Sequence, residues 1–303
     1  MRTGTVALAL AAVAAGCGSS GNHGAPAAGT LDALRHRPGA DVAIVSGTSD
    51  YAPGKLRVSF LVVTHDGRPI DRPTARIWVA RALRAKPFEH SAAKLETVGG
   101  RGIAGGTAGA DDVTHLYVTH VRIPRPGTFW LLAQPVGGTP IQALGTLVVK
   151  PRSDSPAIGS RAFPSRTPTL GSAPLSKLTT AVPPDRPLLR YSIADSLRAH
   201  VPFVVTFATP RYCESRTCGP VVDVVERVRR EFAGSGIRFI HVEIYRENDP
   251  TKGENNWVRQ WHLPTEPWTF VVRANGRIAS KFEGALSVGE LAAAVRADLL
   301  HGK

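Results

Sequence analysis

Hydrophobic and polar residues follow two different rhythms along this chain of 303 residues. Between about Asp41 and Lys150 they alternate in short runs. That period predicts strands over Asp41–Ser46, Leu56–Val63, Ala75–Arg81, His115–Ile123, Thr128–Gln134 and Ala143–Val149. Leu56-Arg57-Val58-Ser59-Phe60 shows the pattern most plainly, with one apolar and one polar face. Asp66-Gly67 and Pro126-Gly127 supply turns between strands. No stretch here has a helical period, so residues 39–150 are expected to form a β-sandwich. Gly99 to Gly109 is rich in glycine but lacks the Lys-Ser/Thr of a phosphate cradle, and reads as plain loop.

From Pro151 to Pro187 the alternation gives way to eight prolines in 37 residues. With Ser and Thr interleaved, this predicts an extended, semi-rigid linker over 151–186 rather than a packed element. Residues 187–303 then mix the two periods. A short helix at Ser192–Arg198 precedes the apolar strand Pro202–Ala208. A helix over Pro220–Phe232 carries Val221, Val224, Val225, Val228 and Phe232 on one face, with Pro220 in the first turn. Strands follow at Ile237–Ile244, Thr269–Arg273 and Arg277–Glu283, the last two joined by Asn275-Gly276, with a helical turn at Asn256–Trp261 before them. Ser287-Val288-Gly289-Glu290 is a capping box opening a final helix whose apolar face is Val288, Leu291, Ala292, Val295 and Leu299. A strand, a helix and a second strand imply a parallel unit, to which the hairpin adds antiparallel strands.

Composition narrows the compartment. Apolar residues make up 43% and charged residues 20%, which excludes disorder throughout. Arg2 precedes the apolar run Val6–Ala15, which is shorter than the ~20 residues a membrane span needs. The run ends in Ala14-Ala15-Gly16-Cys17, followed by Gly18-Ser19-Ser20-Gly21. This arrangement resembles a bacterial lipobox, although Ala14 stands where Leu or Val is commoner. The resemblance implies that residues 1–17 are a lipoprotein signal peptide and that Cys17 is lipidated. Residues 18–38 would be a tether, and the chain would be held at the extracytoplasmic face of the cell membrane. An ordinary cleaved signal peptide with an incidental cysteine is the plainer alternative. Outside the cytoplasm disulfides persist, and with Cys17 assigned only Cys213 and Cys218 remain to pair.

The formal charge of +13 is uneven: residues 1–186 hold 21 Lys/Arg against 11 Asp/Glu, and residues 187–303 hold 16 against 13. Arginine-rich composition explains this without a partner; the sharper alternative is attraction of the N-terminal part to anionic envelope polymers. No nucleic-acid motif is present, so nucleic acid is not an expected partner.

Pro124-Arg125-Pro126-Gly127-Thr128-Phe129-Trp130 resembles a strand opening of immunoglobulin-like domains, which implies an immunoglobulin-like sandwich and no activity. Residues Leu188 to Leu300 resemble thioredoxin, with paired cysteines after the first long strand. The closest stretch runs from Glu266-Pro267-Trp268-Thr269-Phe270-Val271-Val272 through Asn275-Gly276-Arg277 to Phe282-Glu283-Gly284-Ala285-Leu286-Ser287. The fold class so implied is an N-terminal all-β immunoglobulin-like sandwich plus a C-terminal α/β thioredoxin-like domain. Pro267 stands where that family has a cis-proline beside its active site. The cysteines depart from the family: Cys213-Glu214-Ser215-Arg216-Thr217-Cys218 has four residues between them rather than two, and Cys218-Gly219-Pro220-Val221 offers a rival register. Thr206 stands where thioredoxin has a buried Asp. Cys-x4-Cys also occurs in Q-type peroxiredoxins, but Pro210 replaces their threonine.

The chemistry rests on the thiolate, whose pKa of ~8.5 must fall for reaction near neutral pH. A cysteine near the start of the Pro220–Phe232 helix faces unpaired N–H groups and the positive dipole end. Arg211 and Arg216 would add to this if they point inward. Glu266 would raise the thiolate's pKa or carry its proton. The expected function is membrane-anchored, extracytoplasmic thiol–disulfide exchange acting on protein thiols or disulfides. Cys213, Cys218 and Pro267 would form the site, with Cys213 and Cys218 as a disulfide and no cofactor. A surface-binding lipoprotein whose Cys213–Cys218 bridge is purely structural is the non-enzymatic alternative, and a thiol peroxidase a further one. His241 and His262 raise copper delivery of the Sco type, but neither spacing fits, so no metal is expected. Trp257, Trp261 and Trp268 read as packing around the site.

Overall fold

A computed structural model of the chain describes residues 26–99 and 113–300. The signal segment with Cys17, most of the 18–38 tether, and nearly all of the glycine-rich stretch 99–109 lie outside the described residues.

Seven strands build the N-terminal part: β1 (Ala40–Ser46), β2 (Gly54–Val63), β3 (Thr74–Ala80), β4 (Glu89–Thr97), β5 (His115–Ile123), β6 (Gly127–Pro135) and β7 (Ile141–Val149). They run in the order β1-β2-β5-β4-β3-β6-β7, and β1 pairs in parallel with β7, Ala40 opposite Ile141, to close a barrel. This corrects the expected immunoglobulin-like sandwich. Two separate facing sheets cannot exist when β1 is bonded on one edge to β2 and on the other to β7. The element missing from the alternation pattern, β4, is what joins β5 to β3. Its sequence EHSAAKLET has few apolar residues, and only Ala93 and Leu95 pack into the barrel interior. Inside, Val58, Phe60, Val62, Ile77, Val79, Tyr117 and Leu131 form the core, as alternation requires.

The tether ends in structure: α1 (Leu31–Arg35), capped by Thr30, packs Leu31 and Leu34 on Ala80 and Leu132 of the barrel wall.

The C-terminal part is a small four-stranded sheet of β8 (Phe203–Phe207), β9 (Arg238–Val242), β10 (Trp268–Val272) and β11 (Ile278–Glu283), in the order β11-β10-β8-β9. β8 and β9 are parallel, and β10 is antiparallel to both its neighbours. α3 (Cys218–Glu231) links β8 to β9, and α5 (Val288–Val295) closes the chain. The chain is thus mostly β, with few helices, which corrects the expected thioredoxin-like α/β domain. The other helices, α2 (Ile193–Arg198) and α4 (Asn256–Gln260), have only six and five residues. Much of the second sheet face is instead covered by irregular chain, including Ala162, Phe163 and Leu263.

The proline-rich stretch is packed, not free. Gly159 donates to the Ile278 carbonyl, Ile278 to that of Ser160 and Ala162 to that of Gly276, along the edge of β11. Ala162, Leu178 and Ala181 are buried, and the Trp261 indole N–H donates to Ser165 Oγ at 3.0 Å. The prolines prevent regular elements; packing comes from the residues between them.

Barrel and sheet share one core. Val98, Leu116 and Val118, outside the barrel, join Val221, Val225 and Leu291 in a single apolar cluster. Arg57 makes a two-pronged ion pair with Glu290, at 2.6 and 2.9 Å, and donates to the Ala285 carbonyl. The Glu283 carboxylate accepts the backbone N–H groups of Ser49 and Asp50, both at 2.8 Å. Gly284 has φ +68, and a Cβ there would lie 2.3 Å from the Gly47 carbonyl oxygen. Replacing Gly284 with Ala should therefore lower stability by about 2 kcal/mol or more, through left-handed backbone strain and separation of the two parts. A thermal or denaturant midpoint unchanged from wild type would show that the junction is not so tight.

Candidate functional site

The site grows from the end of β8. Ala208 and Thr209 are buried, and after Pro210 the chain loops outward before α3 begins at Cys218. Arg216 adopts φ 56, a left-handed conformation unfavourable for a side-chain-bearing residue, which turns the loop back toward the helix. The barrel holds this loop from outside: the Val113 N–H donates to the Arg216 carbonyl at 3.1 Å. Gly99 approaches so closely that a Cβ would lie 2.6 Å from Pro220 Cβ.

The loop lays Cys213 across the start of α3. Thr217, at the N-cap, makes no side-chain cap bond. The free Cys218 amide instead donates to Cys213 Sγ at 3.1 Å, so the sulfur occupies the acceptor role of a helix cap. Ser215 Oγ lies 3.2 Å from the same sulfur, donates to the Glu266 carbonyl at 3.1 Å, and lies 2.8 Å from Thr217 Oγ1. Ser215 has one proton to give, so it can turn from the carbonyl to the sulfur when Cys213 ionises. Cys213 is half-buried and Cys218 fully buried, both as free thiols.

These contacts separate the two sulfurs electrostatically. Hydrogen bonding from Cys218 lowers Cys213 from 9.0 to about 6; burial opposes this, and Ser215 and the backbone amides of Cys218 and Thr217 reinforce it. Burial pushes Cys218 well above the ordinary thiol range, aided by its bond to Cys213 and the charges of Cys213 and Glu266. Of the two sulfurs, Cys213 is the one favoured as a thiolate and partly open to solvent.

Glu266 completes the group. Its carboxyl oxygens are buried, and neither makes a well-formed hydrogen bond. Burial raises its pKa to about 8, with the Cys213 charge adding to the rise and the Glu214 backbone opposing it. Cys213, Cys218 and Glu266 offer ligand atoms within 4.8 Å of one another, the one set among the described residues that could hold a metal ion. The Glu266–Pro267 peptide is cis, and Pro267 is buried beside the loop that Ser215 ties to it.

Cys213, Cys218, Glu266 and Pro267 thus come together, whereas the arginines do not. Arg211 and Arg216 are exposed, and Arg211 lies over the Tyr212 ring. His241 is buried with its Nε2 3.0 Å from the Ala208 carbonyl, tying β9 to the end of β8. His262 is exposed and packs on Phe163. Trp261 and Trp268 are core residues, and Thr206 bonds Thr269 within the sheet. Ser215 and Val113 were not predicted. A hydroxyl two residues after a cysteine was a usable signal for the first; nothing local marks the second.

No protein-family profile matches this chain, and a search of curated proteins finds no match to it.

In the reduced protein, alkylation of Cys213 by iodoacetamide should rise with pH about a midpoint near 6 while Cys218 stays unlabelled, as read by peptide mass spectrometry. Stability should carry two opposed signatures. The depressed Cys213 contributes stability that is lost as pH falls from 9.0 to about 6. The raised Glu266 contributes stability that is lost as pH rises from 4.5 to about 8. Glu266→Gln should remove the second and leave stability rising with pH from about 6 to 9.0; a profile identical to wild type would refute the assignment.

Proposed function

We propose that the protein is a thiol–disulfide oxidoreductase of the cell envelope, acting on protein thiols or disulfides through Cys213 and Cys218. The observation that carries this reading is the asymmetry of the pair: a half-buried thiolate at the helix start beside a fully buried thiol.

In the reducing direction, Cys213 Sγ attacks one sulfur of a substrate disulfide. A new sulfur–sulfur bond forms, the substrate bond breaks, and its electron pair leaves on the departing thiolate. Glu266, protonated near neutral pH, supplies that thiolate's proton. The mixed disulfide carries no charge on Cys213, so the part of the Glu266 rise that came from that charge is gone, and its carboxylate accepts the Cys218 proton. The Cys218 thiolate then attacks Cys213 Sγ, closes the internal disulfide and releases the second substrate thiolate. Two electrons pass from the dithiol to the substrate. Run backwards, the same steps oxidise a substrate dithiol.

Anchoring through Cys17 belongs to the same proposal and rests on the lipobox resemblance alone. No helix of the described residues is long and apolar enough to cross a membrane.

Cys218→Ser should trap a mixed disulfide through Cys213 with reduced, then re-oxidised, protein substrates. Cys213→Ser should abolish exchange in an insulin-reduction assay. A pair with no turnover and a reduction potential far below ~−300 mV would instead identify a structural bridge.

A further inference from the structure

The barrel and the cysteine loop enclose a cavity of about 370 Å³. One wall is the loop and its neighbour: Glu214, Ser215 and Glu266. The other is the outside of the barrel: Val45, Leu61 and Leu116. This places the cavity against the two residues that follow Cys213. Its size lies near the lower end of ligand pockets (~300–1,000 Å³), which suits one or two residues of a chain rather than a folded partner.

We infer that this cavity is the substrate-recognition pocket of the exchange reaction, and that it selects a polypeptide carrying a large apolar side chain and a basic residue beside the reacting cysteine. The inference rests on the exchange reading for its substrate, and names a role for the barrel. Its apolar part follows from the barrel wall, where leucine and valine side chains face the space and burying a substrate Leu or Phe removes apolar surface from water. Its charge follows from Glu214, exposed on the loop, and from the neighbouring Cys213 thiolate, in a lining that holds no Lys, Arg or His. Glu283 is already bonded to Ser49, Asp50 and Thr265 and Glu266 is protonated near neutral pH, which leaves Glu214 as the acidic group that discriminates. A basic residue entering beside the Cys213 thiolate meets complementary charge, and an acidic one meets repulsion. The wall is rigid because Arg57–Glu290 and the Gly47–Gly284 contact fix the barrel against the loop's supporting sheet. Selectivity therefore does not require the barrel to move.

The test separates pocket from chemistry by using short peptides whose cysteine is S-methylated and cannot exchange. Binding is measured by fluorescence anisotropy to the full chain for Leu-Cys-Arg, Gly-Cys-Gly and Leu-Cys-Glu centres. The Leu/Arg peptide should bind at least about tenfold more tightly than either of the others. Val45 is 48% exposed, so Val45→Trp should fold while filling the cavity, and should bring the preference below about twofold. Should that variant misfold, Glu214→Lys, on an exposed loop residue, should reverse the preference between Arg and Glu peptides. Equal binding of the three peptides, or a preference untouched by the folded variants, overturns the pocket. Preference retained without any turnover leaves the pocket standing and overturns the exchange reading instead.

Discussion

Everything at the cysteine site depends on the seam where Gly47 meets Gly284. A side chain at Gly284 would strike the Gly47 carbonyl oxygen, and the Glu283 carboxylate alongside accepts the Ser49 and Asp50 amides. With the seam closed, Leu116 and Val118 can leave the barrel's outer face for the core beneath α3. Val113 then reaches the Arg216 carbonyl, and the left-handed turn that aims Cys213 at the helix is held from both sides. A barrel that resembles a separate module along the chain is, in three dimensions, the loop's external support.

Within that frame the site separates two chemically identical residues. Cys213 gains donors and partial exposure; Cys218 gains burial and a negative neighbour. Glu266 lies within reach of both as a buried acid without a well-formed hydrogen bond, and its raised pKa keeps the carboxyl neutral while Cys213 is ionised.

Local patterns made much of this legible. Strands such as His115–Ile123, the valine face of α3, the capping box at Ser287 and the cysteine pair all follow from residues near one another in sequence. What the pattern could not carry was long-range closure. The parallel pairing of β1 with β7 joins residues about a hundred positions apart, and β4 is polar enough to hide, which together turned an expected sandwich into a barrel. The proline-rich stretch misled for a related reason: proline density reports the absence of regular hydrogen bonding, not the absence of packing. Arg211 and Arg216 were credible partners for the thiolate by proximity in sequence, but the turn at Arg216 directs the loop so that backbone and hydroxyl groups meet the sulfur instead.

The stretch from Gly159 to Ala162 pairs with Gly276 to Ile278, Arg161 opposite Arg277, and so covers the entrance to β11 at the outer edge of the four-stranded sheet. Strand edges are where extended polypeptides commonly attach by lengthening a sheet. Here that berth is taken by the chain itself. An extended segment approaching this sheet therefore meets, at the entrance to β11, a position the protein has already filled with its own backbone.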